Sequence, residues 1–283
     1  MRRSTYSFAM VIAALVVGAA VYAAPAAAQQ PTPAPPTSEL SDRCPGLVAA
    51  DRPRVIPAAL ELAALADGDV RLTYVGHSTF LIESPRRVRV ATDYNDYVRP
   101  PVVPDIVTMN HAHSTHYTDR PDPAIKYVLR GWTADEKPAE HDVTYQDVRV
   151  RNVPTNIRDW GGGTQRHGNS IFIFEVAQLC IAHLGHLHHT LTQQQLNDIG
   201  RVDVVLAPVD GSYTLDLEGM VEVLHALKAP LTIPMHYFGL YTLNRFLDRM
   251  KQEWDVEMGE TPALVLSKAN LPTKPKVLVL PGH

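Results

Sequence analysis

Three histidines fall within six residues at His111-Ala-His113-Ser-Thr115-His116, directly behind the apolar run Ile106-Val-Thr-Met109. Imidazole is the commonest protein metal ligand, and in extended backbone two His at i and i+2 point to the same side. His111 and His113 can therefore hold one ion while His116 reaches toward a second. A further cluster, His183-Leu-Gly-His186-Leu-His188-His189, also follows an apolar run, and the chain holds 13 His in all. Two such clusters, each behind a strand-like segment, predict an imidazole-rich metal centre.

The elements that must carry these clusters alternate short β-rich runs with a few helices. Val70–Val75, Thr79–Glu83 and Val88–Thr92 read as an antiparallel meander. Val148–Val153 alternates apolar with polar or basic residues, as a half-buried strand does, and Ile171–Phe174 with Cys180–Ala182 predicts a hairpin. Thr192 and Gln195 form a capping-box pattern, with Leu196 and Ile199 facing inward and Gly200 closing the helix. Val202–Leu206 and Leu231–Ile233 read as strands. Leu217, Met220, Val221 and Leu224, then Leu243, Phe246, Leu247 and Met250, mark two amphipathic helices. Early antiparallel strands and later strand–helix units predict an α/β sandwich of two sheets with helices outside. The His-bearing segments all follow strands, where such sheets place their ligand crevice.

The N-terminus stands apart. Arg2 and Arg3, the Ala/Val-rich run Phe8–Ala24 and the small residues to Ala28 predict a signal peptide over 1–28, and hence a periplasmic or secreted protein. Residues 29–66 begin Pro-rich and are expected to be a linker and strap, leaving 67–283 as one domain with a sizeable core. Without Arg2 and Arg3 the chain carries 24 basic and 30 acidic residues, a net charge of about −6, with no basic patch suited to nucleic acid. After cleavage no membrane span is expected. Cys44 and Cys180 either pair, tying the strap to the core, or stay apart with Cys180 in a buried strand; two cysteines cannot make a four-thiolate zinc site.

Several segments in order resemble the metallo-β-lactamase superfamily: Tyr74-Val-Gly-His-Ser-Thr-Phe-Leu-Ile82, Ala91-Thr-Asp93, the His111 cluster, His183-Leu-Gly185, Pro208-Val-Asp-Gly211 and Ile233-Pro-Met-His236-Tyr237. They are most similar to the branch of ascorbate-6-phosphate lactonases and related metal-dependent hydrolases. The resemblance implies an αββα sandwich, one or two Zn2+ ions (or another transition metal) and hydrolysis of a small molecule by activated water. On the family pattern His-x-His-x-Asp-His, His111 and His113 match ligands of the first metal, and His116 and His236 ligands of the second. Asp93 matches a buried carboxylate that orients a ligand imidazole. His183 is the candidate for the remaining family His, with Asn156 and Asp159 as alternatives.

Two positions depart from that pattern: Thr115 stands where the family has Asp, and His186 where a bridging Asp is expected. A neutral ligand set offsets the repulsion between two dications less than carboxylates do, so a single well-occupied metal is expected, with any second site weak. Bound zinc can lower the pKa of water to about 7 without a carboxylate beside it. Thr115 can hydrogen-bond a water; His186 is expected to be a metal ligand or else a base beside the metal, and proton acceptance falls to His186, His188 or the metal hydroxide itself. His77, in a tight turn, is expected to be a hydrogen-bonded structural His near the site. His188 and His189 are expected at the surface, His141 and His225 in solvent, and His167 in a Gly-rich loop over 161–168. Tyr117, Tyr237 and Trp160 are candidate pocket residues. The rival to a hydrolase is a non-hydrolytic periplasmic metal-binding protein or pseudoenzyme of the same fold; redox chemistry at iron or copper is a third reading.

Overall fold

The computed structural model describes residues 64–159 and 161–282. The meander forms as expected from β1 (Val70–Gly76), β2 (Thr79–Glu83) and β3 (Arg89–Ala91), each antiparallel to the next. Two parallel strands, β4 (Ile106–Met109) and β5 (Tyr127–Arg130), extend it on one edge. The other edge is closed by a late strand, Ala263–Leu266, giving a six-stranded sheet.

The second sheet starts with an antiparallel run, β6 (Asp142–Tyr145), β7 (Val148–Arg158), β8 (Thr164–Val176) and β9 (Leu179–His183). It continues parallel through β10 (Val204–Pro208) and β11 (Leu231–Met235). Two C-terminal strands, β12 (Asp255–Met258) and β14 (Lys276–Val279), complete eight strands, the late edge strand of the first sheet being β13.

Residue parity divides the core. Phe172, Phe174, Val204 and Leu206 meet Leu72, Phe80, Ile82 and Ile106 between the sheets. Their neighbours Ile171, Ile173, Val205 and Ala207 pack on the opposite face. There they meet Ile199 of α1 (Gln193–Ile199), Met220 and Leu224 of α2 (Leu217–Leu227), and Phe246 and Met250 of α3 (Leu240–Met250). Strands buried on both faces read as continuous apolar runs, which is why Val204–Pro208 shows no polar alternation. The result is an α/β sandwich of the metallo-β-lactamase type. On the far face of the six-stranded sheet, the side chains of Tyr94, Ile125 and Trp132 cover Val107 and Met109. No helix among the described residues is long and apolar enough to cross a membrane.

α1 follows its local signals. Thr192 caps it with a complete capping box through Gln195, and Gly200 ends it at φ 70°. Other segments differ from expectation. Thr164–Gly168 is strand rather than loop, because β8 pairs with β7 as far as Arg158. β5, β6, β12, β13 and β14 carry weak sequence signals: each is short and only partly buried. Cys180, half-buried on β9, forms no disulfide among the described residues. Cys44, the expected signal peptide, Trp160 and all but the last residues of the expected strap lie outside the described residues.

Candidate metal centre

The histidines meet at one end of the sandwich, where β4, β9, β10 and β11 run parallel to a neighbour and release their loops together. His77 comes from the β1–β2 turn, Asp93 follows β3, His111 to His116 follow β4, and His186 and His188 follow β9. Asp210 follows β10 and His236 follows β11. Three of these residues sit at positive φ, His77 at 52°, Asp93 at 41° and His236 at 55°. Non-glycine residues rarely adopt that conformation, and such backbone concentrates at functional sites.

At the centre His116 Nε2 lies 3.2 Å from His236 Nε2 and 3.0 Å from His186 Nδ1. The opposite nitrogens are anchored: His116 Nδ1 lies 2.6 Å from Asp93 Oδ2, and His236 Nδ1 lies 3.0 Å from Asp210 Oδ1. His111 Nδ1 reaches Gly168 O at 2.7 Å, and His113 Nδ1 reaches Thr115 Oγ1 at 3.1 Å. The ring of His186 stands 5.1 Å from that of His111 and 5.9 Å from that of His113. His77 stacks at a tilt 4.3 Å from His236. Six imidazoles thus share one buried space.

The frame around them is polar and closely fitted. Asn110 N–H donates to Asp93 Oδ1 and its side-chain amide to Ser170 O. His186 N–H donates to Asn169 Oδ1, whose amide in turn donates to Thr155 Oγ1. Gly185, at φ 62°, lets the second His segment pass against both asparagines; a Cβ there would stand 2.6 Å from Asn169 Oδ1. Asp210 accepts backbone N–H bonds from Ser212, Tyr213 and Thr214, and hydroxyl bonds from Ser212 and Thr214.

Burial disfavours the charged form of four of these imidazoles. Desolvation, then the charge of neighbouring histidines, holds His77 and His186 well below the usual histidine range, and burial lowers His183 as well. Burial first, then the Arg158 guanidinium, lowers His188 to about 3. Burial pushes Asp93 up to about 6 against the pull of His183 and the Asn110 N–H. Burial also pushes Asp210 upward, but the bonds from His236, Thr214 and Ser212 outweigh it and hold the carboxyl well below the ordinary range.

The structure brings His111, His113, His116, His186 and His236 together, with Asp93 behind them. His183 is close but already engaged: its Nε2 donates to Ser78 O at 2.8 Å and its Nδ1 accepts the Gly185 N–H at 3.2 Å. His188 is buried, not at the surface, with its ring 4.8 Å from that of His186 and its Nδ1 accepting the Arg158 N–H. His141 bonds Arg130 O rather than solvent, whereas His225 is exposed and pairs with Glu253. Tyr117 packs on Trp132 and lines a cleft of about 330 Å³ with Asp96, Ser114 and Arg120. Tyr237 packs into the helix-side core; the ring lying against His77 and His236 is that of Phe238. Asp210, Asn110, Asn169 and Phe238 were not singled out as site residues by the sequence. For Asp210 the signal was present in the Pro208-Val-Asp-Gly211 segment.

These residues fit a divalent transition metal. A neutral imidazole carries one proton, and His116 and His236 each commit theirs at Nδ1 to a buried carboxylate. Their Nε2 atoms then face one another at 3.2 Å as lone pairs, an arrangement that a cation between them stabilises. The paired carboxylates fix the tautomers and raise ligand basicity.

The model of the beta-lactamase superfamily domain matches residues 71–236, from the second residue of β1 to the histidine behind β11. The chain belongs to this family. Among relatives of this beta-lactamase superfamily member, a UPF0173 metal-dependent hydrolase of Methanoculleus marisnigri is 26% identical over 197 residues, covering 65% of the chain and 88% of the relative. A namesake from Opitutus terrae is 30% identical over 193 residues, covering 59% and 85%. Among solved structures, a Thermotoga maritima protein assigned as a Zn-dependent hydrolase of the metallo-β-lactamase superfamily is 27% identical with a TM-score of 0.58, covering 76% of this chain and 100% of that one. The metallo hydrolase Igni18 of Ignicoccus hospitalis, at 20% identity and TM-score 0.51 over 76% and 97%, shares the fold.

Proposed function

We propose that the protein is an exported, zinc-dependent hydrolase of a small ester, lactone, amide or phosphodiester. The observation that carries this reading is the convergence of His116 Nε2, His236 Nε2 and His186 Nδ1 while Asp93 and Asp210 anchor His116 and His236 from behind. The names of the relatives support hydrolysis, and the assignment of the Thermotoga protein supports zinc. The first 28 residues support export.

His116 and His236 would hold the metal at one position of the cluster, and His111 and His113 would hold it at the neighbouring one. When bound it supplies Lewis acidity toward a carbonyl or phosphoryl oxygen and makes water a nucleophile near neutral pH. His186 and His188, both held below the usual histidine range by burial, would orient that water as neutral hydrogen-bonding groups rather than store its proton. Thr115 orients the His113 ring through the contact of its hydroxyl with Nδ1. Asp93 and Asp210 balance the added positive charge without entering the cluster. Phe238 walls off one side of His77 and His236 from water.

A second reading, a metal-binding protein without hydrolytic activity, is favoured because the Thr115 hydroxyl bonds His113 and, among the described residues, the candidate metal group is imidazole alone. The deciding experiment assays zinc-loaded protein on a panel of the four substrate classes beside His236→Ala. Turnover in the wild type and its loss in a folded variant is expected. Full activity in His236→Ala overturns the assignment, and inertness across the panel despite tight zinc binding selects the second reading. Retention in the cytoplasm counts against the proposed export, and a mature N-terminus other than Gln29 in exported protein counts against cleavage after Ala28.

A further inference from the structure

We infer that His77 is a metal ligand, forming with His116 and His236 a three-imidazole site in place of the carboxylate that position 115 lacks. The inference rests on the proposed metal centre but adds a residue that neither the family pattern nor the chain's spacing assigns. Among the described residues, His77, His116 and His236 each present a ligand atom, and these lie within 4.8 Å of one another, all three side chains buried. The His77 ring stands 4.3 Å from that of His236 and 5.5 Å from that of His116.

A second observation is independent of that proximity. His77 Nε2 is buried and has no hydrogen-bond partner in the structure. An orphaned buried polar atom is rare, because desolvation without a partner is costly, and an ion is one of the few things that explains it. The backbone is built to hold this ring where it is. His77 O accepts both the Tyr74 hydroxyl at 2.9 Å and the His236 N–H at 2.8 Å, locking the β1–β2 turn to the segment behind β11.

The position left by the carboxylate is equally defined. In the family pattern the residue before His116 is Asp and completes the second metal site. Thr115 instead turns its hydroxyl to His113 Nδ1 at 3.1 Å. Its loss removes one ligand from the His116 and His236 side, and His77 restores the count with a neutral donor. Three imidazoles around an open position is a donor set that suits catalytic zinc.

The test measures metal binding, not turnover. Zinc affinity is read by competition with a chromophoric chelator, and the coordination by the visible spectrum of cobalt-substituted protein. The variants are His77→Asn, which tolerates the positive φ, and His77→Asn with Thr115→Asp. His77→Asn should bind zinc more weakly by more than the roughly 10–100-fold that loss of an outer partner costs. Its cobalt spectrum should shift, and the added carboxylate should recover the affinity at least in part. Unchanged affinity and spectrum in a folded His77→Asn overturn the inference while leaving the hydrolase reading intact. Absence of metal binding by the wild type overturns both. If His77→Asn does not fold, zinc located crystallographically in the wild-type protein decides: a ring nitrogen of His77 at about 2.0–2.1 Å supports the inference, and zinc bound only by other residues overturns it.

Discussion

His116 Nδ1 and Asp93 Oδ2 stand 2.6 Å apart with both side chains fully buried, joining the loop behind β3 to the histidine segment behind β4. Asp93 also accepts the Asn110 N–H, so one carboxylate fixes both the ring and the backbone that leads to it. Asp93→Asn keeps the shape and tolerates φ 41° but removes the charge. Zinc affinity is expected to fall about 10–100-fold with the far-ultraviolet spectrum unchanged, measured by chelator competition. Wild-type affinity in this variant would show that His116 does not need its carboxylate.

Asp210 performs the same service for His236 and also gathers the Ser212–Thr214 turn. Asp210→Ala leaves several buried donors without an acceptor and is expected to cost about 3–5 kcal/mol of stability in chemical denaturation. Because the folded carboxyl is held below its unfolded value, its contribution is complete above about pH 4. That contribution is lost as pH falls toward the folded value.

The metal-free protein should lose stability on acidification well before its surface carboxylates titrate. His77, His183, His186 and His188 are all held below the usual histidine value, His188 at about 3. As pH falls through about 6.5 the unfolded chain takes up protons that the folded chain refuses, so unfolding is favoured. Asp93 acts in the opposite sense. Its folded value near 6 makes the folded state the better proton acceptor between about pH 4 and 6 and offsets part of the loss. A melting temperature that falls steadily from pH 7 to pH 5 is expected; a flat profile contradicts the neutral-imidazole cluster.

Gly185→Ala should damage the site without removing any of its ligands. The new methyl meets Asn110 and Asn169 at less than contact distance, and φ 62° disfavours any Cβ. Zinc binding is expected to weaken, and thermal stability to drop by several degrees in a melting scan. Wild-type behaviour would mean that the asparagine frame is softer than its hydrogen bonds imply.

Legibility in the sequence followed range. α1 was readable residue by residue, since Thr192, Gln195 and Gly200 act on groups within a turn of themselves. The β1–β3 meander and the β8–β9 hairpin were readable because neighbouring strands carry apolar patterns of their own. The C-terminal strands were not: β13 joins the first sheet beside β1, nearly two hundred residues away in sequence, and takes its stability from that partner. Residues 161–168 read as loop by their glycines and polar residues, yet pairing with β7 makes Thr164–Gly168 strand.

The two histidine clusters and their placement behind strands came from the sequence alone, because residue type and spacing are local properties. The missing carboxylate at Thr115 and the exchange to His186 came from the resemblance to the family pattern. Only the tertiary structure decided which nitrogens converge. Spacing could not show that both nitrogens of His183 are engaged or that His188 is buried beside His186. Nor could it show that Asp210 anchors His236, or that His77 brings an unpartnered Nε2 to the same place. Each of these depends on where a loop from one strand lands relative to a loop from another, and that is fixed by how the two sheets pack.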